Sequence, residues 1–351
     1  MTLGPGPMRL AEIDLDALAS NVAAIAANGL PVMAMVGGDA LGHGLVPVAR
    51  AAVAAGAEVL AVPDLDEAAT LRSAGVAAPI VTWLHVSGEM TRAAALGVVP
   101  AITSLAQFDE AADAGVAEVH LVPGIGSGMS GIPAAEWDEI CSRSSAGPKI
   151  TGIMASVVGE GDAALRLHAA VAAAEAAGLA LRRHTVDFEP GDDTAGQDIL
   201  RVSATLYGLS SRPGAGVPAG LTPVMTVSGQ VMNLKRVPAG VGVSYGYRYR
   251  TSKASTLAMV PLGYADGVDR AAGNRVAVQL GGRRFEIVGR VAMDAFMLDI
   301  GELPVDIGDR AVLFGDPRSG VAGAHDWAAA LQTTSAEIAA RIGPRVERSY
   351  R

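Results

Sequence analysis

Residues 57–75 read AEVLAVPDLDEAATLRSAG. An apolar run of strand length, AEVLAV, is followed by Asp64 at a helix N-cap position, an alanine-rich helical segment, and Gly75 where such a helix closes. SLAQFDEAADAG over 104–115 repeats the same order, with Ser104 as the cap and Gly115 as the stop. Further apolar runs alternate with helical segments on either side: PVMAMV from Pro31, PIVTW from Pro79, VVPAIT from Val98, EVHLV from Glu118, KITGIMA from Lys149, LRRHTV from Leu181 and VSATLYG from Val202. Together with AEVLAV these make eight predicted strands, preceded by a helix whose apolar face is Leu15, Leu18, Val22 and Ile25. Eight such units within about two hundred residues predict a (β/α)8 TIM barrel, usually about 250 residues long. A doubly wound open sheet is the other arrangement this alternation allows.

Beyond Gly220 the texture changes. Short Val- and Met-rich runs punctuated by glycine follow one another: TPVMTVSGQVMNL, GVGVSYGYRYRT, TLAMVPLGYADG, RVAVQL, RRFEIVGRVAMDAFMLDI and RAVLFG. They predict a mostly β domain, closed by a helix over TSAEIAARIG with Thr334 or Ser335 as its cap. The expected class is therefore α/β, a TIM barrel followed by a C-terminal mostly-β domain, with the boundary near 215–225. Residues 1–10 read as an N-terminal strand joining the β domain, 11–220 as the barrel and 221–351 as the β domain.

The composition narrows the partners. Over 351 residues, half of them hydrophobic, the chain can fill two cores. Its formal charge of −9 argues against a broad basic face for nucleic acid or an anionic membrane. No apolar run reaches membrane-spanning length, and MTLGPGPMRL lacks the features of a signal peptide, so a cytoplasmic protein with small-molecule partners is expected. One cysteine, Cys141, excludes an internal disulfide. The six histidines (His43, His85, His120, His168, His184 and His325) lack metal-ligand spacing and read mainly as surface or strand-end residues; no metal is expected.

GDALGHG, residues 38–44, stands directly after the first barrel strand, where TIM-barrel sites gather. VSYGYRYRT, VPLGYADG, VGRVAMD and the tail RIGPRVERSY follow in order. With these motifs the chain resembles the alanine racemase family over nearly its full length. The resemblance implies a homodimer with shared active sites. It casts Tyr245 as a catalytic acid/base reaching the partner's barrel mouth, and Asp294, Tyr264 and Met293 as residues of the substrate entrance. Arg201 matches the arginine facing the ring nitrogen of pyridoxal phosphate, and His43 the histidine of the GHG motif.

The same resemblance exposes departures. The family's first strand ends in a pattern like VVKAxAYGHG, whose lysine holds pyridoxal phosphate and acts as a base; here MVGGDALGHG puts Gly37 at the lysine and Leu41 at the phosphate-binding tyrosine. LVPGIGSGMSG replaces LKVDTGMxRLG, so Val122 stands at a lysine and Met129 at an arginine. Ser156 falls at a histidine, and Val186, Asp187 and Phe188 fall at the phosphate-binding ANS segment. Leu41 and Phe188 bring apolar bulk to the place of a dianionic group. Only Lys149, Lys235 and Lys253 remain as lysines.

These departures predict no cofactor and a repurposed, pyridoxal-phosphate-independent enzyme of specialised metabolism, an isomerase, lyase or cyclase. In it Tyr245 is the acid/base, with Asp39, Asp187 and Glu189 available for a second proton transfer or a cationic ligand. Residues 187–198, DFEPGDDTAGQD, also read as a solvated surface loop. The other readings are a noncatalytic binding or scaffold pseudoenzyme and a racemase holding its cofactor noncovalently. Gly126, Gly128 and Gly131 also spell GxGxxG, a weak nucleotide-loop signal lacking the distant acidic residue.

Overall fold

The structure is a computed structural model and describes residues 6–125, 130–143, 147–155, 162–184 (side chains from 165) and 188–351. The chain forms two compact units: Val22–Asp39 with Leu45–Ser203, and Met1–Asn21 with Ala40–Gly44 and Ala204–Arg351. Strands are numbered along the chain; β1, Arg9–Ile13, belongs to the second of these units.

The first unit holds β2 (Val32–Met35), β3 (Ala57–Val62), β4 (Ile80–Thr82), β5 (Val99–Ile102), β6 (Glu118–Leu121), β7 (Lys149–Met154), β8 (Arg182–His184) and β9 (Leu200–Val202). All are parallel, in the order β8-β7-β6-β5-β4-β3-β2-β9. Across the remaining seam the Arg183 carbonyl accepts the N–H groups of Asp198 (3.0 Å) and Ile199 (3.4 Å), which brings the ends together and decides for a barrel over an open sheet. Met33, Val59, Ala61, Val81 and Ile199 form one buried layer, against which Met35, Trp83 and Val99 pack. The alternate residues Ala34, Leu60 and Ile80 are also buried, which is why these strands read as continuous apolar runs rather than alternating ones. The caps act as their residue types require: Asp64 accepts the amides of Asp66 and Glu67 (both 3.0 Å) ahead of the helix Leu65–Ser73, and Ser104 accepts that of Gln107 (3.2 Å) ahead of Leu105–Asp113.

The eighth run is shifted from its sequence expectation. The strand ends at Val202, and Ala204–Tyr207 is a 3-10 turn with all four side chains buried.

The second unit is built on nine strands in the order β11-β14-β17-β16-β15-β18-β10-β1-β19. They are β10 (Met225–Gln230), β11 (Asn233–Val237), β14 (Ser255–Val260), β15 (Ala277–Leu280), β16 (Arg283–Val288), β17 (Phe296–Gly301), β18 (Arg310–Phe314), β19 (Glu347–Tyr350) and β1, while β12 (Gly242–Val243) and β13 (Tyr249–Arg250) pair apart. β1 runs antiparallel to β10 and parallel to β19, with Leu10 opposite Glu347. Two helices, Ala324–Leu331 and Ser335–Ala340, precede β19; Thr334 caps the second by accepting the Glu337 amide at 3.2 Å. The first was not foreseen from its sequence, AHDWAAAL.

The GHG motif is a packing device of this unit. A Cβ on Gly44 would lie 2.0 Å from the Tyr350 hydroxyl oxygen, and the Arg348 guanidinium donates to the Gly42 carbonyl at 2.9 Å. His43 is fully buried, with its ring 4.5 Å from that of Tyr207.

Candidate active site

Parallel barrels present their strand C-termini on one face, and there the barrel unit carries a cavity of about 770 Å³, ample for a small-molecule ligand. Met35, Trp83, Val122, Met154 and Arg201 reach it from five strand ends, and His85, Glu89, Thr103 and Gln107 add polar groups. His85 Nε2 lies 2.8 Å from Thr82 Oγ1, and desolvation holds the imidazole below its usual pKa against the opposing charges of Glu89 and Glu110.

Arg201 brings a buried cation to this cavity from β9. Below it His184 Nε2 and His120 Nδ1 share one proton at 2.7 Å. Burial pushes His120 down to about 4; His184 is held well below its ordinary range by burial first, then by His120 and the positive charges of Arg201 and Arg182. Both rings are therefore neutral, and with His43 they make three buried histidines; His184 has its expected strand-end place as the last residue of β8, but none of the three is at the surface. Phe188 is buried too, its N–H donating to the Arg201 carbonyl at 2.8 Å, and Glu189 beside it is buried rather than part of a solvated loop.

At the end of β2 the backbone turns left-handed. Gly38, Asp39, Ala40, Leu41 and Gly42 have φ of 66°, 52°, 56°, 50° and 76°. Three of these residues carry side chains, each at a cost of roughly 1–2 kcal/mol, so the turn needs outside support. The Glu67 carboxylate supplies it, accepting the amides of Gly38 (3.2 Å) and Asp39 (2.8 Å). Desolvation raises the Glu67 pKa, the two amides oppose this, and Asp64 and Asp39 add to the rise. Asp39 is occupied with the next helix, its Oδ1 accepting the Leu45 amide at 2.7 Å ahead of Leu45–Ala54.

The remaining candidates stand in the β unit. Tyr245 opens the short turn Tyr245–Tyr247 and is 70% exposed; Tyr264, in Tyr264–Asp266, is 45% exposed and Met293 is 52% exposed. The two loops are bonded together, the amides of Tyr264 and Ala265 donating to Ala292 and Met293 at 3.0 Å each, while Ser244 Oγ donates to the Arg290 carbonyl at 2.7 Å. Asp294 accepts from Arg345 at 2.7 Å, and Arg345 also pairs with the buried Asp266 at 2.9 Å. Met129, Ser156, Val186, Asp187, Gly126 and Gly128 lie outside the described residues. Gly131 serves local packing, since a Cβ there would lie 2.6 Å from Gly124 Cα and from the Pro123 carbonyl oxygen. Sequence reasoning missed Trp83, His85, Gln107 and Glu67; the signal available was their place just after β3, β4 and β5.

A closed parallel barrel with a mouth cavity, joined to a β unit, is the architecture of the fold-type III pyridoxal-phosphate proteins. The family description "Alanine racemase, N-terminal domain" matches residues 13–186, and "Alanine racemase, C-terminal domain" matches 224–350. The alanine racemase of Thermobifida fusca is 43% identical, with 97% of each chain covered, and that of Salinispora tropica 41% identical, again with 97% of each covered. Among solved structures, alanine racemases of Streptomyces lavendulae and Streptomyces coelicolor A3(2) each superpose with a TM-score of 0.92 at 36% identity, over 98% of this chain and 97% and 98% of theirs. The chain belongs to the alanine racemase family.

This full-length likeness overturns the expectation of a pyridoxal-phosphate-independent repurposed enzyme, whether isomerase, lyase, cyclase or noncatalytic pseudoenzyme, and with it the expectation of no cofactor. The residues suit that cofactor unevenly. Arg201 places a guanidinium donor in the cavity, which a pyridine ring nitrogen can accept. Covalent attachment is another matter: Gly37 has no amine, and the barrel unit's single lysine, Lys149, is the first residue of β7, at the opposite end of the strand from the cavity-lining Met154. Among the described residues no helix is long and apolar enough to cross a membrane, and no cluster of His, Cys, Asp or Glu is arranged to hold a metal.

Proposed function

We propose that the chain acts as a racemase-class protein on alanine or an amino acid of similar size, binding it together with pyridoxal phosphate at the barrel mouth. Full-length identity of 43% to a protein named alanine racemase carries this reading. When bound, the cofactor supplies an electron sink that makes the amino acid's α-proton removable. Arg201 would hold the ring nitrogen, with no amine at residue 37 to bond the aldehyde. Trp83 and Met35 limit water at the reacting face. Tyr245 takes the α-proton from one face through its phenolic oxygen and a proton delivered from water to the opposite face completes the inversion, with Asp294, Tyr264 and Met293 shaping the entrance. The exposure of Tyr245, Tyr264 and Met293 supports a homodimer in which each subunit completes its partner's site. A cytoplasmic setting goes with this reading.

The test uses the purified chain with pyridoxal phosphate and L-alanine in heavy water, following deuterium at Cα by mass spectrometry and D-alanine by chiral chromatography. Both should form faster than with the same cofactor lacking protein, and Tyr245→Phe should lose about 100-fold of that rate. Rates equal to the protein-free blank, with the cofactor shown to be bound, would remove the proposal.

A further inference from the structure

Position 37 is glycine because of space rather than conformation. Its φ is not among the left-handed values that surround it in the chain, so any residue could adopt its backbone. A Cβ built there, however, would lie 2.3 Å from Cδ of Pro63 and 3.4 Å from Oε2 of Glu67. Cδ closes the pyrrolidine ring onto the backbone nitrogen, so it cannot rotate aside as the end of a flexible side chain could. Nor is Pro63 free to retreat. Its carbonyl accepts the amides of Trp83 (3.2 Å) and Leu84 (2.7 Å), tying it to the end of β4. The next residue, Asp64, caps the helix Leu65–Ser73. From that helix Glu67 reaches back to the amides of Gly38 and Asp39, and the Val36 amide donates to Ala61 at 2.9 Å, so the glycine side is clamped as well.

We propose that Gly37 and Pro63 are a matched pair: the proline ring holds the volume that a side chain at 37 needs, and Pro63 is the residue that decides whether the mouth of β2 can carry an amine. A lysine returns to this strand end only together with a change at 63. This goes beyond the proposed function, because the packing arm of its test involves neither cofactor nor substrate.

The packing arm is a cycle of four full-length chains: the parent, Gly37→Ala, Pro63→Ala and both together. Gly37→Ala should lower Tm by more than about 5 °C beside the native proline and by less than about 2 °C with alanine at 63. Equal losses in the two backgrounds would overturn the pairing. The second arm incubates Gly37→Lys and the Gly37→Lys, Pro63→Ala double variant with pyridoxal phosphate, reduces with borohydride and maps the product by peptide mass. An amine condensed with the aldehyde loses water, and hydride then fixes the bond. A pyridoxyl group at position 37 should be found in the double variant alone. A single variant that melts like the parent and carries the group, or a folded double variant that carries none, would overturn the claim about Pro63. Noncovalent uptake of the cofactor by the parent, read by absorbance, reports on the proposed function separately.

Discussion

At the scale of single residues, the buried histidines make the chain acid-sensitive in a stated window. His43 and His120 are each pushed down to about 4 by burial, and His43 Nδ1 donates to the carbonyls of Ala40 (2.9 Å) and Leu41 (3.1 Å). In the unfolded chain both take a proton near 6.5. Between about 6.5 and 4 the unfolded state therefore binds more protons, so stability is complete above that window and falls as the pH drops through it. The loss is on the order of 3 kcal/mol for each ring. Tm measured from pH 7 to 4.5 should fall steadily, and His120→Gln should flatten the slope; an unchanged slope would show that the ring is not neutral in the fold. Little of this was legible beforehand. A histidine in EVHLV looks the same whether it faces water or, as here, packs against Gly152, where a Cβ would lie 2.5 Å from the ring. Gly37 was legible as a missing amine. Its steric cause was not, because Pro63 lies just past the end of β3, far along the chain, and nothing local marks the pair.

Elements were read more successfully, because their signals are local. The caps at Asp64, Ser104 and Thr334 could be named from residue type and the apolar run that follows. The left-handed turn 38–42 could not, since Ala40 and Leu41 are not residues that such a turn selects. It depends on two carboxylates, which gives two expectations. Asp39→Ala should cost about 1 kcal/mol in urea unfolding by freeing the Leu45 amide, while Asp39→Asn, which accepts the same bond and tolerates positive φ, should cost a few tenths. Glu67→Ala should cost about 1 kcal/mol by removing the acceptor of the exposed Gly38 and Asp39 amides, which then turn to water. If both variants unfold at the parent's midpoint, the turn is held by something else.

For the whole molecule, alternating strands and helices gave the barrel, and the glycine-punctuated runs gave the β unit. The cofactor reading went wrong for an instructive reason. It weighed a handful of altered contact positions, Gly37 above all, against a likeness that extends over 97% of the chain. The exposure of Tyr245, Tyr247, Tyr264 and Met293 supports the homodimer proposed above. Light scattering should report a dimer, and Tyr264→Glu should shift it toward monomer; a parent chain that is monomeric at micromolar concentration would count against shared sites. A last consequence follows from where β1 lies, between β10 and β19. The opening strand of the β unit leaves the ribosome long before Glu347–Tyr350, the strand laid beside it. Residues 22–39 and 45–203 can round up while synthesis is still under way, but the β unit must hold an unpaired edge until its final strand emerges. During synthesis, then, the barrel half can close first, while in the half bearing Tyr245 one side of β1 stays open until β19 has been made.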